Sequence, residues 1–151
     1  MRVVLQRVRR ASVTVADTVT GSIDQGLLLL VAFREGDTDE ELRWMAQKCA
    51  DLRVFNDDEG KMNRSLLDVE GDVLVVSQFT LYGDARKGRR PSFIGSAKPE
   101  LAEGLYDRFI ECFEAIGVRA AHGIFGAHME VDLMNDGPVT LILDRDGTDP
   151  A

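Results

Sequence analysis

The 151 residues contain only two cysteines, two histidines and one tryptophan, and aromatic residues make up 7%. Cys49 and Cys112 stand in no C-x-x-C pair and share no metal-ligand spacing with a histidine, so a structural zinc is not expected. Both fall on the apolar stripes of expected helices and read as buried free thiols that behave as small hydrophobes. His122 and His128 form no H-E-x-x-H pattern, and no metal site is expected from them. G-x-S-x-G is missing as well, so a triad joining Ser77 or Thr80 to either histidine finds no nucleophile elbow. There is no P-loop and no G-x-G-x-x-G, and no cofactor is indicated. The longest apolar run, Leu27 to Phe33, has seven residues, against the ~20 that a membrane-spanning helix needs. The opening Met1-Arg2-Val3-Val4-Leu5 runs straight into strand-like sequence without a leader pattern, so a cytosolic protein is expected.

Positive charge is also in short supply. Lys and Arg number 18 against 26 Asp and Glu, a net charge of −8, and the isoelectric point is about 4.7. A protein that binds nucleic acid without regard to sequence carries a broad positive field. Neither a DNA-binding role nor a non-catalytic RNA-binding module fits this balance. The cations are unevenly placed, however. Arg86, Lys87, Arg89 and Arg90 lie within five positions, and Arg7, Arg9 and Arg10 lie near the start. Composition alone leaves two readings of such clusters open, a local anion site and a solvated loop.

What is present is ordinary globular material, 44% hydrophobic and 29% charged, enough for one domain with a substantial core. Val3, Leu5, Val8, Val13 and Val15 alternate with polar residues as a strand bent near Arg9-Arg10. Val19 to Ile23 returns as its hairpin partner after a turn at Ala16-Asp17-Thr18. Gly26 to Phe33 reads as a strand buried on both faces. Asp37 to Leu52 reads as a helix, with Asp37 and Glu40 as its capping box and Leu42, Met45, Ala46, Cys49 and Leu52 as its apolar face. Trp44 lies off that stripe and is expected to meet a neighbouring element or a partner subunit. Asn56 to Gly60 superficially resembles a calcium loop. Its register would place Phe55 and Leu66 at the first and twelfth ligand positions, which excludes it.

Val73 to Tyr82 reads as one long strand, Gly83 to Ser92 as a basic loop, and Lys98 to Ile116 as a second helix ended by Gly117. Val118 to Ala121, Met129 to Met134 and Val139 to Leu143 are further strand candidates, with a turn at Asn135 to Pro138. The expected architecture is a single α+β domain over residues 1–145, an antiparallel-rich, barrel-like sheet with two main helices, followed by a polar tail at 146–151 that should fray.

Two segments break the patterns around them. Ser77-Gln78-Phe79-Thr80-Leu81 interrupts an apolar strand with three polar side chains, and buried polar groups cost free energy unless paired. The alternative is a strand that alternates between a buried and a solvated face. Asn135-Asp136-Gly137-Pro138-Val139-Thr140 carries a glycine before a proline, where the backbone can reach angles closed to other residues. The alternative there is an ordinary turn, and X-Pro bonds are mostly trans.

These segments, taken with Gln6-Arg7-Val8, Arg10-Ala11-Ser12-Val13, Gly60-Lys61-Met62-Asn63, Lys87-Gly88 and Arg90-Pro91-Ser92-Phe93, resemble the bacterial D-aminoacyl-tRNA deacylase family from Met1 to about Leu143. The order and spacing of all of them together make the resemblance specific. It implies a homodimeric hydrolase with tRNA as its partner and two active sites at the subunit interface. A cis Gly137-Pro138 bond would enter the other subunit's pocket and exclude L-aminoacyl esters. Ser77, Gln78, Phe79 and Thr80 would form the catalytic segment, with backbone N–H groups around Phe79 and Thr80 as oxyanion donors. Gln78 and Phe79 would hold the terminal adenosine, and Thr80 would position the substrate, with a nucleophilic role ranked second. Met129 and Ala102 would line the pocket, Arg7 would buttress the Gly-Pro loop, and Lys87, Arg89 and Arg90 would meet tRNA phosphates. Glycyl-tRNA, being achiral, should be hydrolysed too. One departure concerns His128, where many relatives carry an acidic residue, and it alters the electrostatics of the pocket edge.

Overall fold

In the computed structural model, which describes residues 1–148, the chain forms eight strands and two main helices in an α+β arrangement. β1 (Arg2–Val15) is the spine. It pairs antiparallel with β2 (Thr18–Ile23), β3 (Gly26–Ala32) and β8 (Glu130–Asp144). β3 then pairs parallel with β6 (Asp72–Ser77), and β6 pairs parallel with β7 (Ala120–His122). A separate two-stranded ribbon joins β4 (Phe55–Asn56) to β5 (Met62–Arg64). The sheet is therefore mixed, with the antiparallel pairs gathered on β1. Its edges nearly meet, since a Cβ added to Gly21 of β2 would stand 2.5 Å from the backbone oxygen of His122 in β7. Such an approach needs a residue without a Cβ, and it gives the sheet its barrel-like shape.

The continuous apolar run of β3 sits between β1 and β6 and feeds two cores. Its odd-numbered residues Leu27, Leu29 and Val31 pack under the helices with Val3, Leu5, Val73 and Val75. On the opposite face Leu28 joins Val8, Val13, Leu74 and Val76. Side chains on a strand point to alternate faces, so a strand covered on both sides has no polar positions.

α1 (Asp39–Asp51) buries Leu42, Met45, Ala46 and Cys49, as the spacing predicts. Its cap, however, is Thr38 and not Asp37. Glu40 N–H donates to the Thr38 hydroxyl, and the Glu41 carboxylate accepts from the Thr38 N–H at 2.8 Å. Asp37 instead lies buried against the Met1 amino group at 2.6 Å. α2 (Pro99–Ala115) buries Ala102, Leu105, Tyr106, Phe109, Ile110 and Phe113, whereas Leu101 is turned outward. Trp44 is half-buried beneath the Arg145 guanidinium, 4.7 Å from its ring centre. Arg145 is itself buried and donates its N–H to Met1 O at 3.0 Å. Arg145 closes the domain just before the expected tail, whose last three positions lie outside the described residues.

Two strand assignments change in ways that shape the site. The apolar run from Val73 leaves the sheet at Ser77, and Phe79–Tyr82 closes into a 3-10 turn. The segments on either side of Asn135–Pro138 do not form a reversal. They are collinear parts of β8, both paired to β1. On β1 only Arg7 stands between Gln6 and Val8, while on β8 Asp136, Gly137, Pro138 and Val139 stand between their partners Thr140 and Asn135. The surplus residues bulge outward, as unequal strand lengths require.

Candidate active site

A cavity of about 610 Å³ opens where β3 and β6 end and α2 begins. Ser77, Gln78 and Phe79 form one wall, and Ala102 and Met129 lie on the others. Five of the residues singled out from the sequence therefore meet around one space. Phe33, Phe93, Phe125 and Val131 also line it, with Ser96; sequence reasoning did not single them out for the site, because an apolar residue carries no local signal of facing a cavity and not a core, and a lone serine in a loop carries none either.

The bend after β6 builds the wall. Gln78 N–H adds one last rung to the sheet by donating to Val31 O at 2.8 Å. The chain then turns, with Leu81 N–H donating to Gln78 O at 3.1 Å and Gly83 N–H to Thr80 O at 2.9 Å. The first N–H groups of any helical turn have no acceptor within it. Among the described residues, none accepts from the N–H of Phe79 or Thr80. The Ser96 hydroxyl donates to Phe79 O at 2.8 Å, and the Phe79 and Phe93 rings meet edge to face with centres 5.2 Å apart. Phe79 is 54% exposed, an apolar ring offered to solvent at the cavity rim. Gln78 Nε2 donates to Thr80 Oγ1, and Thr80 itself does not line the cavity.

No conventional nucleophile is activated here. Neither histidine hydrogen-bonds to Ser77 or Thr80 among the described residues; the His122 Nδ1 pairs with Gly123 O at 2.8 Å, and His128 stands on the cavity wall. Burial pushes the Cys49 thiol up to about 12 and raises that of Cys112, the reverse of what a reactive thiolate needs. Burial likewise pushes the Tyr82 hydroxyl up to about 12, and the Tyr106 hydroxyl is raised and donates to Val75 O at 2.8 Å.

Gly137 and Pro138, on the bulge, do not line the cavity, and both are exposed. The Gly137-Pro138 bond is cis, and Gly137 has φ +130°. Arg7, buried at 6% exposure, holds the bulge from below. Its Nε donates to Asp136 O at 2.9 Å, and its Nη1 donates to Val54 O at 2.6 Å and to Asn56 Oδ1 at 3.2 Å. Asn135 Oδ1 accepts the Val139 N–H at 3.0 Å and closes the far side.

The basic loop between the 3-10 turn and α2 is pinned at its base by the Asp84 and Ser92 backbone pair, at 2.7 and 2.9 Å. Arg86 is committed to Asp84 at 2.7 Å. Lys87, Arg89 and Arg90 are exposed beyond the cavity, and among the described residues no carboxylate pairs with them. In the β4–β5 ribbon, Asp57 spends its oxygens on the N–H groups of Glu59 and Lys61, both at 2.9 Å, and on the Asn63 amide at 2.8 Å. A carboxylate used this way shapes a turn.

A solved structure described as a c-Myc DNA unwinding element binding protein superposes with a TM-score of 0.89 at 41% identity over the whole of both chains. One described as a probable eukaryotic D-amino acid tRNA deacylase gives 0.84 at 24% identity, covering 95% of this chain and 98% of that one, a likeness of fold. A protein of Thermomicrobium roseum named D-aminoacyl-tRNA deacylase is 61% identical over 95% of this chain and 94% of its own length. Its namesake from Exiguobacterium sibiricum is 59% identical over 96% of this chain and all of its own. The family model described as D-Tyr-tRNA(Tyr) deacylase matches residues 4–144, and the chain belongs to that family.

Proposed function

We propose that the protein hydrolyses the ester of D-aminoacyl-tRNA, releasing the free D-amino acid and tRNA, and so removes the wrong enantiomer from translation. The observation that carries this reading is the 3-10 turn at the cavity wall, whose Phe79 and Thr80 N–H groups have no acceptor among the described residues. An aminoacyl ester is already activated and needs no strong nucleophile. Water adds to its carbonyl carbon, the carbonyl oxygen takes the negative charge, and the two N–H groups donate to that oxygen as an oxyanion hole. The ester C–O bond then breaks, and the ribose oxygen leaves carrying a proton, with the neighbouring ribose hydroxyl assisting. Gln78 and Phe79 hold the terminal adenosine, Met129 and Ala102 bound the aminoacyl group, and Thr80 serves positioning before chemistry.

In this reading the protein works as a homodimer, because the exposed Gly137-Pro138 bulge can complete only another copy's cavity. Its backbone carbonyls face the substrate α-carbon. A D side chain points away from them, whereas an L side chain is driven into them, so chirality is sorted by exclusion. Glycyl-tRNA, with no side chain to exclude, is a substrate too. Lys87, Arg89 and Arg90 meet phosphates of the tRNA, and contact is concentrated at its CCA end because the protein as a whole is acidic.

Purified protein, without added metal, should consume D-tyrosyl-tRNA and leave L-tyrosyl-tRNA intact. Consumption of both would keep the hydrolase and remove the filter at Gly137-Pro138. Consumption of neither would overturn the proposal.

A further inference from the structure

We propose that Lys98 and His128 form a phosphate clamp at the cavity mouth that seats the last phosphodiester of the tRNA acceptor end; this rests on the deacylase reading. The observation is the sign of the charge on the cavity wall. The chain carries 26 acidic residues against 18 basic ones, yet among the described residues lining the cavity the only ionisable side chains are Lys98 and His128. They approach from separate elements. Lys98 precedes α2, and His128 immediately precedes Met129 and β8. Glu100 on α2 and Glu130 on β8, the nearest carboxylates in sequence, do not line the cavity. Both Lys98 and His128 are exposed, and among the described residues neither side chain has a hydrogen-bond or ion-pair partner.

An ammonium and an imidazole in a cavity otherwise lined by apolar and neutral polar residues suit an anionic group on a ligand whose seated parts carry no other negative charge. The aminoacyl and ribose parts carry no negative charge, and the adenine is neutral. The only anionic group within reach of a seated terminal nucleotide is the phosphodiester on its 5′ side. Ammonium and imidazole both donate hydrogen bonds to phosphate oxygens, and imidazole does so in either protonation state. The clamp differs from the exposed loop cations, which stand outside the cavity and would meet phosphates farther along the strand.

The test is Lys98→Met with His128→Gln, alone and together. In the double variant KM for D-tyrosyl-tRNA should rise about tenfold, with kcat little changed, as expected for two lost phosphate contacts. The slope of log affinity for uncharged tRNA against log salt should flatten by about 0.7 per contact, the single-strand value. A D-tyrosyl ester of adenosine, which has no phosphate, should show less than a twofold change. The clamp is overturned if KM and the salt slope match the wild type, or if the adenosine ester loses as much as the tRNA. Uncharged tRNA separates the two failures. A wild type that turns over no D-tyrosyl-tRNA sinks the deacylase reading, while the salt titration on uncharged tRNA still decides the clamp.

Discussion

Gly137 shows what a missing Cβ is used for. Its φ of +130° lies where L side chains are strained, and a Cβ there would stand 2.9 Å from Arg7 Nη2. Gly137→Ala should therefore cost about 1–3 kcal/mol in urea unfolding and admit L-tyrosyl-tRNA as a substrate in the matched-ester assay. Arg7→Met should be more damaging, since it strips the carbonyls of Val54 and Asp136 of their donor. About 3 kcal/mol of stability should be lost, and activity should fall with the loosened bulge. Thr80→Ala separates two mechanisms. With its hydroxyl engaged by Gln78 and outside the cavity wall, Thr80 should be replaceable with a loss of no more than about tenfold in kcat/KM. Abolished turnover in single-turnover kinetics would make it the nucleophile.

Among the elements, α1 offers a cap whose contribution can be titrated. The Thr38 hydroxyl, hydrogen-bonded to the Glu41 carboxyl, holds that carboxyl below its usual range. A depressed folded value stabilises the protein above the unfolded value of about 4.3, and that stabilisation is lost as pH falls through the folded value. Thr38→Ala should cost about 1 kcal/mol at neutral pH, and urea melts at successively lower pH should show the gap narrowing. The sequence announced α1, since its apolar spacing survives in the buried set, but it misplaced the cap by one residue. Asp37 and Thr38 are both good caps, and a buried partner for Asp37, the Met1 amino group, decided between them. The end of β6 was hidden for a related reason. Phe79, Leu81 and Tyr82 have strand-like side chains, and only the carbonyl of Val31 and the Ser96 hydroxyl fix where the ladder stops.

For the whole molecule, the cavity and the bulge are the two halves of the proposed site, and they lie apart on one chain. A dimer should therefore be seen in sedimentation. Co-expression of a Gly137→Ala chain with a chain disabled at Gln78 should yield hybrid dimers with one intact site and about half the wild-type rate, with D/L selectivity retained. Hybrid dimers that hydrolyse L-tyrosyl-tRNA as readily as the Gly137→Ala homodimer would place both halves in one protomer. The amino-acid sequence by itself determined the elements: the apolar run of β3, the faces of α1 and α2, and the two polar interruptions at Ser77–Leu81 and Asn135–Thr140. Periodicity and turn chemistry are local properties, readable from neighbours along the chain. The tertiary structure decided that β8 bulges at Gly137 without reversing, that Arg7 reaches across from β1 to hold it, and that Lys98 and His128 share one cavity wall. Each of these depends on register and contact between residues far apart in sequence, which no local pattern encodes.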